Sequence, residues 1–144
     1  MKKHLLFLVL LPLATSFAEQ TKNHYIFYCH SEHGEEIKAR AINDHLVVDV
    51  DKMEMVSNET IDYIMSSYKK EFFEAKKGGA DDYAMFKFST SNYLISIGSG
   101  VDKDDYSDAG NRLNIINKSD GSSKTYWCGN DDINQLDLMK SSAD

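Results

Sequence analysis

Positive charge is in short supply in this chain: 16 lysines and arginines stand against 23 aspartates and glutamates. A nucleic-acid-binding protein neutralises phosphates with Lys and Arg, so the deficit argues against DNA or RNA as a partner. It argues equally against adhesion to anionic lipid headgroups. No apolar run reaches the roughly 20 residues that cross a bilayer, so no membrane span is expected. Cysteine is limited to Cys29 and Cys128, too few and too distant in sequence for a cysteine-built zinc site. Gly98-Ser99-Gly100 is too short for a Gly-x-Ser-x-Gly nucleophile elbow, and glycine patterns that cradle phosphate are missing. The one proline is Pro12, and no internal repeat occurs. Together these absences argue against an enzyme and imply no cofactor.

What is present begins at the N-terminus. Lys2 and Lys3 make a positive start, Leu5 to Leu13 an apolar stretch, and Ser16-Phe17-Ala18 puts small residues where a signal peptidase reads. Residues 1–18 are therefore expected to be a signal peptide cleaved after Ala18, with the mature protein in the periplasm. Residues 19–144 are the size of one domain. Loss of Lys2 and Lys3 would take the formal charge from −7 to −9, which favours solubility and fast association with a cationic partner. In an oxidising compartment two cysteines default to one disulfide. Joining Cys29 to Cys128 would close a loop of about 100 residues, worth roughly 4.7 kcal/mol in the chain-entropy model.

The pattern along the chain is mostly that of strands. Segments 24–30, 36–42 and 45–50 read as strands, with Asn43-Asp44 as a tight turn between the second and third. In the third, Leu46, Val48 and Val50 share one face, while Val47, Asp49 and Asp51 share the other, a wet one. Residues 59–77 then change period. Ile61, Ile64, Met65, Tyr68 and Phe72 fall at helical spacing, Ser57 or Asn58 is placed to cap, and Gly78-Gly79 stop the run. This amphipathic helix should pack on the sheet or plug a barrel end. Strands resume at 83–89 and 93–98, a polar loop covers 99–110, and a last hairpin pairs 112–117 with 124–128 around Asp120-Gly121. In the acidic tail, Ile133, Leu136 and Met139 could form one short helix. The expected fold is mainly β (α+β): a small antiparallel barrel or sandwich of about seven strands, one inserted helix and one disulfide.

Three constellations invite chemistry. His30 and His33, with His24, His45, Asp49 and Asp51 near them in sequence, lack the spacing that makes three or four zinc ligands converge, so no metal is assigned. Asp102, Asp104, Asp105 and Asp108 lie in the long loop and offer oxygens that calcium could take, but without the sixth-position glycine and distal glutamate of an EF-hand, so a solvated acidic loop is the alternative and calcium is left open. The aromatics Tyr25, Phe27, Tyr28, Tyr83, Phe86 and Trp127 would suit a barrel mouth, and with it a small-ligand or metal-binding module.

The strand bearing Cys29, the Ser99-Gly100 pair after a later strand, Tyr106 and the closing Cys128 resemble the small periplasmic β-barrel inhibitors of C-type lysozymes. In this chain the tyrosine follows the glycine by six residues where that family has three, and the helix has no counterpart there. The resemblance implies a protein partner, lysozyme or another peptidoglycan hydrolase, met through Ser99, Gly100, Lys103 and Tyr106. Hydroxyl and backbone N–H donors at Ser99 and Gly100 and the ammonium of Lys103 would engage the two carboxylates of the enzyme's cleft. An immunity protein guarding against a rival's cell-wall hydrolase would act in the same way. The oligomeric state is left open, a homodimer included.

Overall fold

The computed structural model describes residues 25–77, 84–102, 105–129 and 132–139. It is a small β-sandwich with one helix and one disulfide. β1 (Phe27–His30), β2 (Glu36–Ile42), β3 (His45–Val50) and β4 (Met53–Thr60) form an antiparallel meander, and α1 (Ile61–Lys77) follows directly. The second half comprises β5 (Ala84–Ser89), β6 (Tyr93–Asp102), β7 (Asp105–Asn117), β8 (Ser123–Trp127) and β9 (Ile133–Asn134), closed by a 3₁₀ turn at Leu136–Leu138. One sheet runs β4-β3-β2-β1-β9 and the other β5-β6-β7-β8.

The turns follow from residues that tolerate left-handed backbone. Asn43 and Asp44 take φ of 47° and 65°, the pair of positive values that a type I′ hairpin requires, and Ile42 faces His45 across it. At the next corner Asp51 takes φ of 51°. Its N–H donates to the Glu36 carbonyl at 2.8 Å, and its carboxylate accepts the Glu36 N–H at 2.9 Å, which pins the β3–β4 hairpin to the start of β2.

The two inner faces meet in one core. Phe27, Ile37, Leu46 and Val48 from the five-stranded sheet pack with Phe86, Ile95, Ile97 and Leu113 from the other, all but shut off from solvent. Each such side chain contributes about 1.5–3 kcal/mol through its burial. The helix covers the side of this core nearest β5, burying Ile61 and Ile64 and stacking Tyr68 on Phe86 with centroids 4.1 Å apart. Glu71 anchors it to Lys87 of β5 at 2.8 Å.

At the opposite corner the sheets are joined. Cys29, fully buried, is bonded to Cys128 with Cα atoms 5.6 Å apart. Beside the disulfide, Ser31 and Cys128 form an isolated bridge, the Glu32 N–H donates to the Trp127 carbonyl at 3.0 Å, and the Gly129 N–H donates to the His30 carbonyl at 2.9 Å. The end of β1 thus continues the ladder of β8.

Several expectations need correction. The described residues hold nine strands, not about seven. β4 occupies residues where no strand is expected from the sequence, including the expected cap at Ser57 or Asn58, and α1 begins at Ile61 instead of Glu59. Ser57 caps nothing. Its buried hydroxyl accepts the Leu46 N–H at 3.0 Å and donates to the Glu59 carbonyl at 2.7 Å, serving the register shift between His45 and Val47. The helix cap is Thr60, whose Oγ1 accepts the Tyr63 N–H. Val47 is only 3% exposed although it lies on the outer face. Its cross-strand neighbours are Arg40, which spans to Asp49 at 2.6 Å and Glu54 at 2.8 Å, and Val56, so a valine on this face stands between a long side chain and an apolar one. In the tail, Ile133 joins β9 beside Tyr28 instead of starting a helix, while Leu136 and Met139 are buried.

A clamped hairpin as the candidate functional site

Residues 99–110 are not the irregular loop their polarity suggests. β6 runs on to Asp102 and β7 starts at Asp105, so the segment is a β-ribbon with Gly100 opposite Gly110 and Asp102 opposite Asp105. Its sequence, rich in Gly, Ser and Asp, offers no apolar alternation, so its composition reads as a loop. On one side β5 pairs with β6 only as far as Ala84 opposite Ser99. On the other, the β7–β8 ladder ends with Arg112 opposite Trp127, followed by the Cys128 N–H donating to the Asn111 carbonyl at 2.9 Å. Beyond Ser99 and Asn111, no described strand flanks the ribbon. It projects past the four-stranded sheet as a two-stranded arm.

The base of the arm is tied down by polar bonds. Asn111, directly opposite Ser99, accepts the Asn134 side-chain N–H at 2.7 Å and donates through its own amide to the Asp132 carboxylate. Its carbonyl is the one bonded by Cys128, so a single residue links the arm to β9, to β8 and to the disulfide. Next to it the Arg112 guanidinium lies 4.9 Å from the centroid of the Trp127 ring, within cation–π range. On the opposite strand Gly98 has φ of 138°, a backbone that side-chain-bearing residues adopt only under strain.

Of the residues assigned to partner contact, Ser99 sits half-buried at the base and Gly100 one step further out. Tyr106 lies on the returning strand, and Lys103 falls outside the described residues. Ser99, Gly100 and Tyr106 therefore share one ribbon, but Ser99 is at its root, not at a loop apex. The anchors Asn111, Asp132 and Asn134 escaped sequence reasoning. Nothing local marks an asparagine whose partners lie 21 and 23 residues away.

The other constellations do not assemble. His30 stands at 88° to the Tyr28 ring with centroids 5.4 Å apart, whereas His45 places Nδ1 2.8 Å from the Ser57 carbonyl on β4, and His24 lies outside the described residues. Among the described residues no three His, Cys, Asp or Glu side chains converge on one point. The calcium reading of Asp102 to Asp108 turns on side chains outside the described set. The aromatics proposed for a barrel mouth split up: Phe27 and Phe86 are core, Tyr83 is outside the described residues, and Tyr25, Tyr28 and Trp127 lie away from the core. Two open depressions, of about 220 Å³ and 370 Å³, flank the β5–β6 turn, and neither is lined by any of these rings.

Carboxylates near the ends of the strands are held ionised by short polar contacts. The Ser31 hydroxyl, aided by Lys124, keeps Glu35 below the usual carboxylate range. For Glu59, burial pushes upward, but the Ser89 hydroxyl at 2.7 Å and the Ser89 N–H at 2.8 Å outweigh it and leave the group lowered. Asp49 goes the other way, because burial outweighs its contact with Arg40.

Fold and site define a class: a disulfide-tied, two-sheet β-sandwich that extends one clamped hairpin beyond its sheet. Comparison with protein families, with curated proteins and with solved structures finds no match to the chain.

Proposed function

We propose that the protein is exported to the periplasm and there inhibits a peptidoglycan hydrolase, inserting the β6–β7 hairpin into the enzyme's active-site cleft. The observation that carries this reading is the arm itself, which runs past both neighbouring strands and is clamped at Asn111 beside the Cys29–Cys128 bond. A two-stranded arm fits a groove, and fastening it before binding lowers the ordering cost of association. The resemblance assigns the contact to Ser99, Gly100 and Lys103, a hydroxyl, a backbone N–H and an ammonium for a cleft built around two carboxylates; with Ser99 at the root of the arm, the cleft would have to take the arm along its full length. Charge-assisted hydrogen bonds of that kind are about twice as strong as neutral ones. The formal charge of −7, or −9 once Lys2 and Lys3 are lost with the signal, would speed encounter with a cationic enzyme.

The resemblance to lysozyme inhibitors names the first target to try, a C-type lysozyme; an immunity protein against a rival's hydrolase would use the same arm. The test is a turbidity assay in which the purified protein is added to C-type, goose-type and invertebrate-type lysozymes clearing peptidoglycan. Loss of clearing at near-stoichiometric protein, with one class preferred, is the expected result. Undisturbed clearing by all three removes lysozyme as the target and leaves the immunity role or a small-ligand-binding one, to be separated by capture of a hydrolase from a periplasmic extract.

A further inference from the structure

Away from the hairpin, the outer face of the five-stranded sheet carries aromatic rings that the core does not use. Tyr25 and Tyr28 have centroids 6.1 Å apart and planes tilted by 31°, and the His30 ring stands perpendicular to Tyr28. None of the three belongs to the core cluster. Both tyrosines are half-buried and His30 is exposed, so among the described residues the rings meet solvent and lie outside the packed core. Two charged side chains from β2 hold them in place. The Lys38 Nζ lies 5.6 Å from the Tyr25 centroid and 2.5 Å from Glu36, whose other oxygen accepts the Tyr28 hydroxyl at 3.1 Å. Lys38 faces Tyr28 directly across the ladder, and Glu36 faces His30.

We propose that Tyr25, Tyr28, His30, Glu36 and Lys38 form a carbohydrate-binding face that takes an uncharged glycan strand laid flat along β1 and β2. Four features select that ligand. The ring faces are electron-rich, and a pyranose offers a face of weakly positive C–H groups that complements them, as a cation does more strongly. The separation of the two tyrosines is comparable to the repeat of one sugar unit, so neighbouring rings can serve neighbouring residues of a chain. Glu36 and Lys38 neutralise each other, so the patch selects against a ligand with net charge. Together they still present acceptor and donor side by side, which suits a hydroxyl that is both at once. Glu36 is kept ionised chiefly by its bond to Lys38, so the acceptor persists to acidic pH. The face shares no residue with the hairpin, and this inference stands whether or not the hairpin blocks an enzyme.

The test uses a hexamer of β-1,4-linked N-acetylglucosamine in calorimetry and insoluble chitin, likewise uncharged, in co-sedimentation. Wild-type protein should bind both. Replacing Tyr25→Ala and Tyr28→Ala together should weaken binding by at least about tenfold while leaving melting and hydrolase inhibition unchanged. Tyr28→Phe, which keeps the ring and loses the hydroxyl, should fall between the two; it also keeps the test decisive if the double variant fails to fold. Absence of wild-type binding to either glycan overturns the proposal, as does undiminished binding by the double variant. Loss of hydrolase inhibition in the double variant, without glycan binding by the wild type, would assign the face to a protein contact and overturn it too.

Discussion

Replacing Cys29 and Cys128 by alanine should cost this protein several kcal/mol. The bond spans 99 residues of chain, so its removal frees the unfolded state of a constraint worth about 4.7 kcal/mol in the loop-entropy account. Domains of this size are stable by about 5–15 kcal/mol, so the loss is a third or more of the total. With a urea slope of about 1–3 kcal/mol per molar, the midpoint should fall by roughly 2 M or more. The structure also says where the damage begins. The Glu32-to-Trp127, Gly129-to-His30 and Cys128-to-Asn111 bonds all lie beside the sulfurs, at the corner where one sheet runs into the other. Amide exchange at Glu32, Cys128 and Gly129 should therefore quicken before that of the core strands. Equilibrium urea unfolding of wild-type and double-alanine protein, followed by hydrogen exchange, measures both effects. A midpoint shift below about 0.5 M would refute the entropic argument, and uniform acceleration across the core would refute the localisation.

Three further outcomes follow from the same geometry. Ser99→Ala combined with Lys103→Ala should abolish hydrolase inhibition and leave the melting temperature unchanged; an equal fall in stability would show the arm to be structural only. Asn111→Ala removes one amide pairing and one bond to a carboxylate, and should destabilise by about 1–3 kcal/mol with faster exchange at the base of the arm; unaltered exchange there would refute the clamp. Glu59 titrates lower in the folded protein than its ordinary value of 4.5, so its stabilising effect is present above that value and is lost as pH falls through the folded one. An acid titration of stability should accordingly be shallower below pH 4.5 in Glu59→Gln than in the wild type, and identical slopes would contradict the assignment to Ser89.

Local chemistry explains which parts of the fold were legible beforehand. β2 and β3 were bounded correctly because Asn43-Asp44 is an unambiguous turn signal and the flanking residues alternate. The helix was legible for a similar reason, since Ile61, Ile64, Met65 and Tyr68 repeat at its own period and do face the core. β4 was not, because Met53–Thr60 is an edge strand whose burial alternates only over Met55 and Ser57. Its one buried hydroxyl imitates a helix cap. Val47 misled in a different way, since a valine on the outer face is dry between neighbours that other strands supply, Arg40 on β2 and Val56 on β4.

The candidate site divides along the same line. Ser99, Gly100 and Tyr106 were picked out by the resemblance to lysozyme inhibitors, and they do lie in one hairpin. That the hairpin is regular, that it outruns its neighbours and that Asn111 fastens it are properties of pairing between distant segments. The Tyr25, Tyr28 and Lys38 face is of the same kind: its rings were visible in the sequence, but a shared pocket was the wrong place to put them.

By itself, then, the sequence determined what short-range physics determines: the antiparallel β class, the helix, the tight turns and the pairing of the only two cysteines. These depend on alternation, helical period, backbone freedom and simple exclusion, all of which act within a few residues or on a count. Tertiary structure alone decided the order of strands in each sheet, the joining of the sheets beside the disulfide, the reach of the hairpin and the split of the aromatics between core and surface. Each of those is a choice between partners far apart in the chain, made by which apolar faces can be buried together, and no local pattern encodes it.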